Sequence, residues 1–223
     1  MTDQYKYLRL LKLEEEDIQR NHPSLVKRDL GKCFYWREYK TYGGYNAPGG
    51  TNQLIYNLKI KDCQTHRLFY KNQAIQQTAK EMKQVLTENS NLERLFEKIY
   101  FVPIPTSDIY EKRLLKILET FKKQMEFPIF YEEIVQAKDS TKPAHQSDAR
   151  PSIEELINNY KFNPSINKAL IENKILIIFD DVLTKGNHYK AMELFISEYF
   201  KNIQIYGLFI ARSVRMESID EFD

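Results

Sequence analysis

One apolar run followed by two aspartates constrains the fold of this chain more than any other segment. Residues 175–179 (ILIIF) are apolar and rich in β-branched side chains, which is typical of a strand buried on both faces of a parallel sheet. Asp180 and Asp181 end the run, and an amphipathic segment at residues 187–200 predicts a helix. This order of strand, turn and helix is the repeating unit of α/β folds.

The polar residues between that strand and helix predict a ligand site. In open α/β sheets, ligands bind beyond the carboxyl ends of the strands. Carboxylates such as Asp180 and Asp181 at that edge can hold sugar hydroxyls or a metal ion. The turn through Thr184 and Gly186 leads to a helix N-terminus, whose backbone N–H groups favour an anion. We therefore predict neighbouring sites for a hydroxylated sugar and a phosphate.

Size and composition predict a globular chain without a zinc site. The 223 residues can bury a sizeable core, and 33 basic against 31 acidic residues give a net charge of +2. Cys33, Cys63, His22 and His66 are too scattered to form a zinc site, so we predict reduced thiols, no zinc and a cytoplasmic location. No stretch approaches the roughly 20 apolar residues of a membrane span, and the N-terminus is unlike a signal peptide.

Alternating patterns along the chain predict the fold class. Strands are predicted at residues 32–40, 98–105, 128–135, 174–179 and 203–211. Helices are predicted at residues 69–86, 110–124, 153–159 and 187–200, with another that has Thr51 as its N-cap, and residues 1–30 predict an irregular or helical lead-in. The alternation implies an α/β fold with a mostly parallel sheet flanked by helices. We divide the chain into an N-terminal strand and helical appendage, residues 1–90, and an α/β core, residues 91–223.

Two further segments contain candidate ligand-binding residues. The strand at residues 98–105 runs into a turn that offers hydroxyl and basic groups, which can bind an anion: Thr106, Ser107, Lys112 and Arg113. Asp108 and Glu111 dilute that positive charge. The polar stretch at residues 137–152 is long for a loop in a compact domain, which is typical of a lid or a disordered segment.

The segment ILIIFDDVLTKG resembles the phosphoribosyl pyrophosphate loop of type I phosphoribosyltransferases. That pattern is an apolar strand, two acids, two residues, Thr, a small or hydroxyl residue, Gly, any residue, and Thr or Ser. Asp180, Asp181, Thr184 and Gly186 match it. Lys185 and His188 depart from it, because the family has hydroxyl residues at both positions.

Other segments resemble the ComF-like, competence-associated branch of this family. VPIP followed by a basic helix start is similar to its pyrophosphate loop, and Lys59 matches a lysine that ends one of its helices. Gln146, Arg150 and Phe162 match a family stretch that follows the mobile loop. That branch often has an N-terminal zinc-binding cysteine cluster, which this sequence lacks.

The resemblance implies that the chain binds phosphoribosyl pyrophosphate with Mg²⁺ and transfers phosphoribosyl to a nitrogenous base, releasing pyrophosphate. Asp180 and Asp181 would be the catalytic pair, holding the ribose hydroxyls and meeting the metal only through the ligand. The 5′-phosphate would bind to Thr184, Lys185, Gly186, Asn187 and His188, and pyrophosphate to Thr106, Ser107, Lys112 and Arg113. Gln146 and Arg150 would lie on the mobile loop, and residues 1–90 would form a hood over the acceptor base, which no motif identifies.

Two alternatives remain open from the sequence. The first is a catalytically degenerate phosphoribosyltransferase fold that acts with DNA-processing or phage-defence proteins; the interspersed charges do not predict direct nucleic-acid contact. The second is a receiver-like or metal-dependent phosphate enzyme that uses the same acids, although receiver folds place their acid pair near the first strand. The oligomeric state is open, and a dimer fits the family.

Overall fold

The computed structural model describes residues 8–87, 91–106, 108, 110–139 and 151–215, with only the backbone described at 91–94. Three predicted site residues lie outside the described residues: Ser107 of the pyrophosphate segment, and Gln146 and Arg150 of the mobile loop. Within them, no helix is long and apolar enough to cross a membrane.

A six-stranded sheet lies at the centre of the fold, and helices cover both of its faces. The strands are β1 (Leu11–Lys12), β2 (Cys33–Lys40), β3 (Ile99–Pro103), β4 (Phe130–Tyr131), β5 (Val135–Ala137), β6 (Tyr160–Phe162), β7 (Ile175–Leu183) and β8 (Gln204–Val214). The α-helices are α1 (Glu15–Asn21), α2 (Thr51–Leu58), α3 (Leu68–Thr87), α4 (Arg113–Gln124), α5 (Ile153–Asn158) and α6 (Asn187–Tyr199).

The sheet has the order β1-β2-β8-β7-β3-β4, and only the β1–β2 pair is antiparallel. The short strands β5 and β6 form a separate antiparallel pair. The predicted α/β fold with a mostly parallel sheet flanked by helices is therefore confirmed.

Alternate residues of β7 enter two different cores. Leu176 and Ile178 belong to the core that also contains residues of α5 and α6. Phe179 belongs to the core formed with α2, α3 and α4, and Ile177 packs against that core. This alternation follows from the period of two in a β-strand, whose successive side chains point to opposite faces. The run at residues 175–179 is apolar throughout because both faces of the central strand are covered.

The chain changes direction in the sheet between β3 and β7. These two strands are parallel neighbours. From β3 the chain continues through α4 to the edge strand β4, whereas from β7 it continues through α6 to β8 on the other side. The helices α4 and α6 also pack on opposite faces. Such a topological switch point leaves a crevice at the carboxyl ends of the two strands, where α/β proteins bind ligands.

The N-terminal residues contribute to the same sheet as the rest of the chain. β2 pairs in parallel with β8, from Cys33 with Gly207 to Lys40 with Val214. Helices α2 and α3 share their core with α4. The division at residues 90 and 91, and a hood formed by residues 1–90, stay predictions.

Several local expectations were wrong. Gly50, with a φ of 69°, is the N-cap of α2, so Thr51 is its first helical residue. Helix α4 begins at Arg113 instead of residue 110, because the Thr106 hydroxyl bonds the Glu111 carbonyl and holds the preceding turn. The strand expected at 128–135 is divided into β4 and β5, since the chain turns at Glu132 to pair with β6.

Helix α3 is joined to β2 by a buried carboxylate with several donors. Glu81 is 1% exposed and accepts hydrogen bonds from the Trp36 indole at 3.1 Å, from Arg37 at 2.6 and 2.7 Å and from Gln77 at 2.9 Å. A buried charge persists only when it is paired and hydrogen-bonded in this way.

We expect Glu81→Ala to lower the free energy of unfolding by about 3–5 kcal/mol, because it leaves the buried Arg37 charge without its carboxylate. Urea denaturation followed by circular dichroism measures the loss. Glu119→Ala, which breaks the exposed Glu119–Lys123 pair on α4, is the control and should leave stability unchanged. Equal losses in the two variants would contradict a structural role for Glu81.

Candidate functional site

The two acids lie inside β7, beside the crevice at the switch point. We expected the strand to end before them, but β7 continues to Leu183 because the long strand β8 offers partners as far as Arg212. On the other side, pairing with β3 ends where Pro103 meets Phe179. The segment from Asp180 onward therefore extends beyond β3, at the open carboxyl edge of the sheet.

Asp180 and Asp181 point to opposite faces of the sheet: Asp180 pairs in register with Phe209 of the core of α5 and α6, and Asp181 contacts residues of α2 and α4. Asp180 follows Leu176 and Ile178 and faces the core of α5 and α6. Asp181 follows Phe179 and faces α2 and α4. The sequence placed both acids at one edge, and the structure adds that they have different surroundings.

Asp181 is held ionised by two cations from two helices. Its side chain is 6% exposed, and its Oδ2 lies 3.0 and 2.8 Å from Nε and Nη2 of Arg113, the first residue of α4. Lys59 Nζ, at the C-terminal end of α2, lies 3.4 Å from the same oxygen. Burial alone would raise the pKa of Asp181, but the charges of Lys59 and Arg113 lower it below its ordinary value.

The pKa of Asp180 is shifted in the opposite direction from that of Asp181. It is half-buried, and its Oδ1 accepts the backbone N–H of Asp181 at 2.8 Å. Burial and the neighbouring charge of Asp181 raise the pKa of Asp180, and the more distant Arg113 opposes that shift only in part. The pair thus combines a stable carboxylate with one that takes up a proton more readily.

The cations of the expected pyrophosphate segment are each matched by a carboxylate. Lys112 Nζ lies 2.7 Å from Glu133, and Arg113 pairs with Asp181. Glu111, which precedes them, is bound at 2.8 Å by the buried Lys71 of α3. An anionic ligand here would have to replace these carboxylates.

Thr106 closes the turn between β3 and α4. Its hydroxyl is bonded to the carbonyls of Asp108 and Glu111, at 2.6 and 2.9 Å. A cavity of about 10 Å³ lies against Thr106, Lys112 and Glu133. That volume suits about one water molecule, so a diphosphate would require this turn to open.

The turn between β7 and α6 has the backbone expected of an anion site. Gly186 has a φ of 93° and precedes the first residue of α6, Asn187. A side chain at position 186 would lie 2.8 Å from Leu25, so glycine is required by both conformation and space. The first N–H groups of α6 have no intrahelical partner, which suits a phosphate. Lys185 beside them is exposed.

Residues 22–25 pack against this turn, and the sequence analysis did not place them at the site. The His22 ring contacts the Thr184 carbonyl, and Ser24 N–H donates to the Lys185 carbonyl at 3.0 Å. His22 is fully buried, which lowers its pKa despite that contact. The sequence contains no local signal for these contacts, because the partners are about 160 residues apart.

The Asn187 side chain also stabilises the turn from within the protein. Its Nδ2 donates to the Pro151 carbonyl at 2.7 Å, and its Oδ1 accepts the Ser24 hydroxyl. Any role of Asn187 in phosphate binding therefore rests on its backbone N–H. The neighbouring His188 is half-buried at the start of α6.

No other described part of the chain offers a stronger site. Among the described residues, no group of three or more His, Cys, Asp or Glu side chains could hold a metal ion. A cavity of about 330 Å³ lies between α2 and α3, lined by residues such as Arg37, Gly50, Asn57 and Gln77. Its lining includes neither acid of β7, and its charged residue Arg37 is already paired with Glu81.

The opposite states of the two acids predict opposite effects on stability. Asp181→Asn should lower the free energy of unfolding at pH 8 by about 3 kcal/mol, because it leaves Arg113 without its carboxylate. Asp180→Asn should raise the free energy of unfolding at pH 8. The pKa of Asp180 is raised in the folded protein, so ionisation of this carboxyl destabilises the fold as the pH rises above the ordinary pKa of 3.8. Urea denaturation at pH 5 and pH 8 tests both signs.

The pH dependence supplies the control for that pair of variants. The stabilisation from Asp181 is complete above pH 3.8 and is lost as the pH falls through the lowered pKa of this carboxyl. Asp181→Asn should therefore lower the free energy of unfolding by the same amount at pH 5 and pH 8. The gain from Asp180→Asn should be smaller at pH 5. If both variants changed the free energy of unfolding in the same direction at pH 8, the opposite pKa shifts of the two acids would be contradicted.

Comparison with known proteins assigns no family to the chain. No protein-family profile matches it, and no curated protein matches it in sequence.

Proposed function

We propose that the chain is a phosphoribosyltransferase-like protein that binds phosphoribosyl pyrophosphate with Mg²⁺ and transfers phosphoribosyl to a nitrogenous base. One observation carries the proposal: an acid pair at the carboxyl edge of a central parallel strand runs directly into a glycine turn and a helix N-terminus, at the switch point of the sheet. The carboxylates can accept hydrogen bonds from sugar hydroxyls, and the N–H groups that follow them can donate to a phosphate. Few ligands besides a sugar phosphate need these two kinds of group in that order.

The 5′-phosphate is assigned to the turn from Thr184 to His188. The positive end of the α6 dipole and its first N–H groups would bind the phosphate oxygens. Lys185 is exposed and able to add a charge-assisted contact. Its flexible stem lets the ammonium reach an anion that the backbone already holds.

The pyrophosphate group is assigned to the segment from Thr106 to Arg113. Its oxygens would take over Lys112 from Glu133 and share Arg113 with Asp181, so ligand charge would replace protein charge at both cations. In the transfer, the bond from the ribose carbon C1′ to pyrophosphate breaks, a base nitrogen forms the new bond to C1′, and the proton of that nitrogen passes to the leaving pyrophosphate or to water. Positive charge then develops on the ribose ring, and the carboxylates of β7 would stabilise it.

Mg²⁺ fits this site as a partner of the ligand and not as a metal held by the protein alone. Asp181 is already paired with Arg113 and Lys59, and Asp180 lies beside Phe209 of the other core, so the described residues offer no ready-made metal site. Mg²⁺ prefers phosphate oxygens and retained waters, and a single carboxylate reached through water would complete its shell. When bound, it would neutralise the charge of the leaving pyrophosphate.

A binding module without catalysis is the second candidate, and a specific observation favours it. Every cation of the pyrophosphate segment with a described side chain is already paired with a carboxylate. Lys185 and His188 also stand where the family has hydroxyl residues. Such a module would bind the sugar phosphate, or a nucleotide, without releasing pyrophosphate, and would act through protein partners.

Calorimetric titration of phosphoribosyl pyrophosphate, with and without Mg²⁺, tests the proposal. We expect Mg²⁺-dependent binding to the wild type and none to the Asp180→Asn/Asp181→Asn variant. Lys112→Gln should weaken binding about tenfold, which is about 1.4 kcal/mol. Lys123→Gln, which removes an equal charge from the far end of α4, is the matched control and should bind like the wild type. Folded wild type that binds no ligand would refute the proposal.

Pyrophosphate release separates the enzyme from the binding module. The wild type is incubated with phosphoribosyl pyrophosphate, Mg²⁺ and one base at a time: adenine, guanine, hypoxanthine, xanthine, uracil or orotate. Release that depends on one base identifies the acceptor. Tight binding without release for any base would favour the module.

A further inference from the structure

Tyr160, the first residue of β6, has a buried hydroxyl that no described group satisfies. The residue is 3% exposed, and the structure gives its Oη no hydrogen-bond partner among the described residues. Buried hydroxyl groups are nearly always hydrogen-bonded, because burial removes their bonds to water. A buried hydroxyl without a partner at a candidate site indicates that its hydrogen bond forms in another state of the protein.

The tyrosine lies on the same face of the sheet as Asp180. Its ring packs edge-on against Phe195 of α6, with centroids 5.8 Å apart, in the core that contains Ile178. Asp180 pairs in register with Phe209 of β8, which belongs to the same core, so Asp180 lies on that face as well. Burial raises the pKa of Tyr160, and the charge of Asp180 adds to the rise.

Asp180 in turn has a single donor among the described residues. Its Oδ1 accepts one backbone N–H, from Asp181, and no hydrogen bond within the described residues reaches its Oδ2. The free donor of Tyr160 and the free acceptor of Asp180 are complementary, and they lie on one face.

We propose that Tyr160 is a positioning residue, whose hydroxyl donates to the Asp180 carboxylate when a sugar phosphate binds and holds that carboxylate against the ribose hydroxyls. This inference rests on the proposed function. It assigns the α6 face of the strand to the ribose and leaves Asp181, with Arg113 and Lys59, on the other face. Asp180 then accepts from both the protein and the ligand.

Tyr160→Phe removes only the hydroxyl and keeps the ring against Phe195. We expect the thermal midpoint to stay unchanged or rise, because the free protein loses an unsatisfied group. We expect the Kd for phosphoribosyl pyrophosphate with Mg²⁺ to increase about tenfold, since a lost hydrogen bond to a charged group has this order of effect. The affinity for inorganic diphosphate, which has no ribose, should not change.

Tyr189→Phe is the matched control, because the Tyr189 hydroxyl is also buried but faces the Cys33 thiol. It should leave both affinities unchanged. If the wild type binds and Tyr160→Phe binds equally well, the inference is wrong and the proposed function stands. If Tyr160→Phe loses diphosphate affinity or thermal stability as well, the tyrosine has a general structural role. A wild type that binds neither ligand overturns the inference and the proposed function together.

Discussion

The buried ion cluster around Asp181 holds together the part of the fold on which the candidate site depends. One carboxylate of β7 joins the end of α2 through Lys59 and the beginning of α4 through Arg113. Removing such charges from water is costly, and only this geometry offsets the cost. The cluster therefore ties the first residue of α4 to β7, next to the turn that carries Thr106 and Lys112.

The alternation of β7 separates the site into two faces with different chemistry. Towards α4, charges are paired and rigid, and an anion must compete with carboxylates for the cations. Towards α6, Asp180 accepts one backbone N–H, and the Tyr160 hydroxyl has no hydrogen-bond partner among the described residues. Such an arrangement suits a ligand with anionic groups on one side and hydroxyl groups on the other. It also explains why neighbouring aspartates with the same chemistry have pKa values shifted in opposite directions.

Much of the fold could be predicted from the sequence, because its signals are local. The apolar run before Asp180 indicated a central strand, and the amphipathic pattern after Gly186 indicated its helix. The pairing of Asp181 with Arg113 and Lys59 could not be predicted, since nothing local links residues that are 68 and more positions apart. The same holds for the packing of Ser24 against the turn at Lys185, and for the donors of Glu81 on β2 and α3.

The sequence by itself determined the α/β class, the parallel sheet and the position of the acid pair at its carboxyl edge, because periodicity and turn chemistry act over a few residues. The tertiary structure decided which face each acid occupies, how far β7 extends and which cations are already neutralised. These features depend on where β8, α2 and α4 lie relative to β7. That arrangement is set by the burial of side chains distant in sequence, and no local pattern records it.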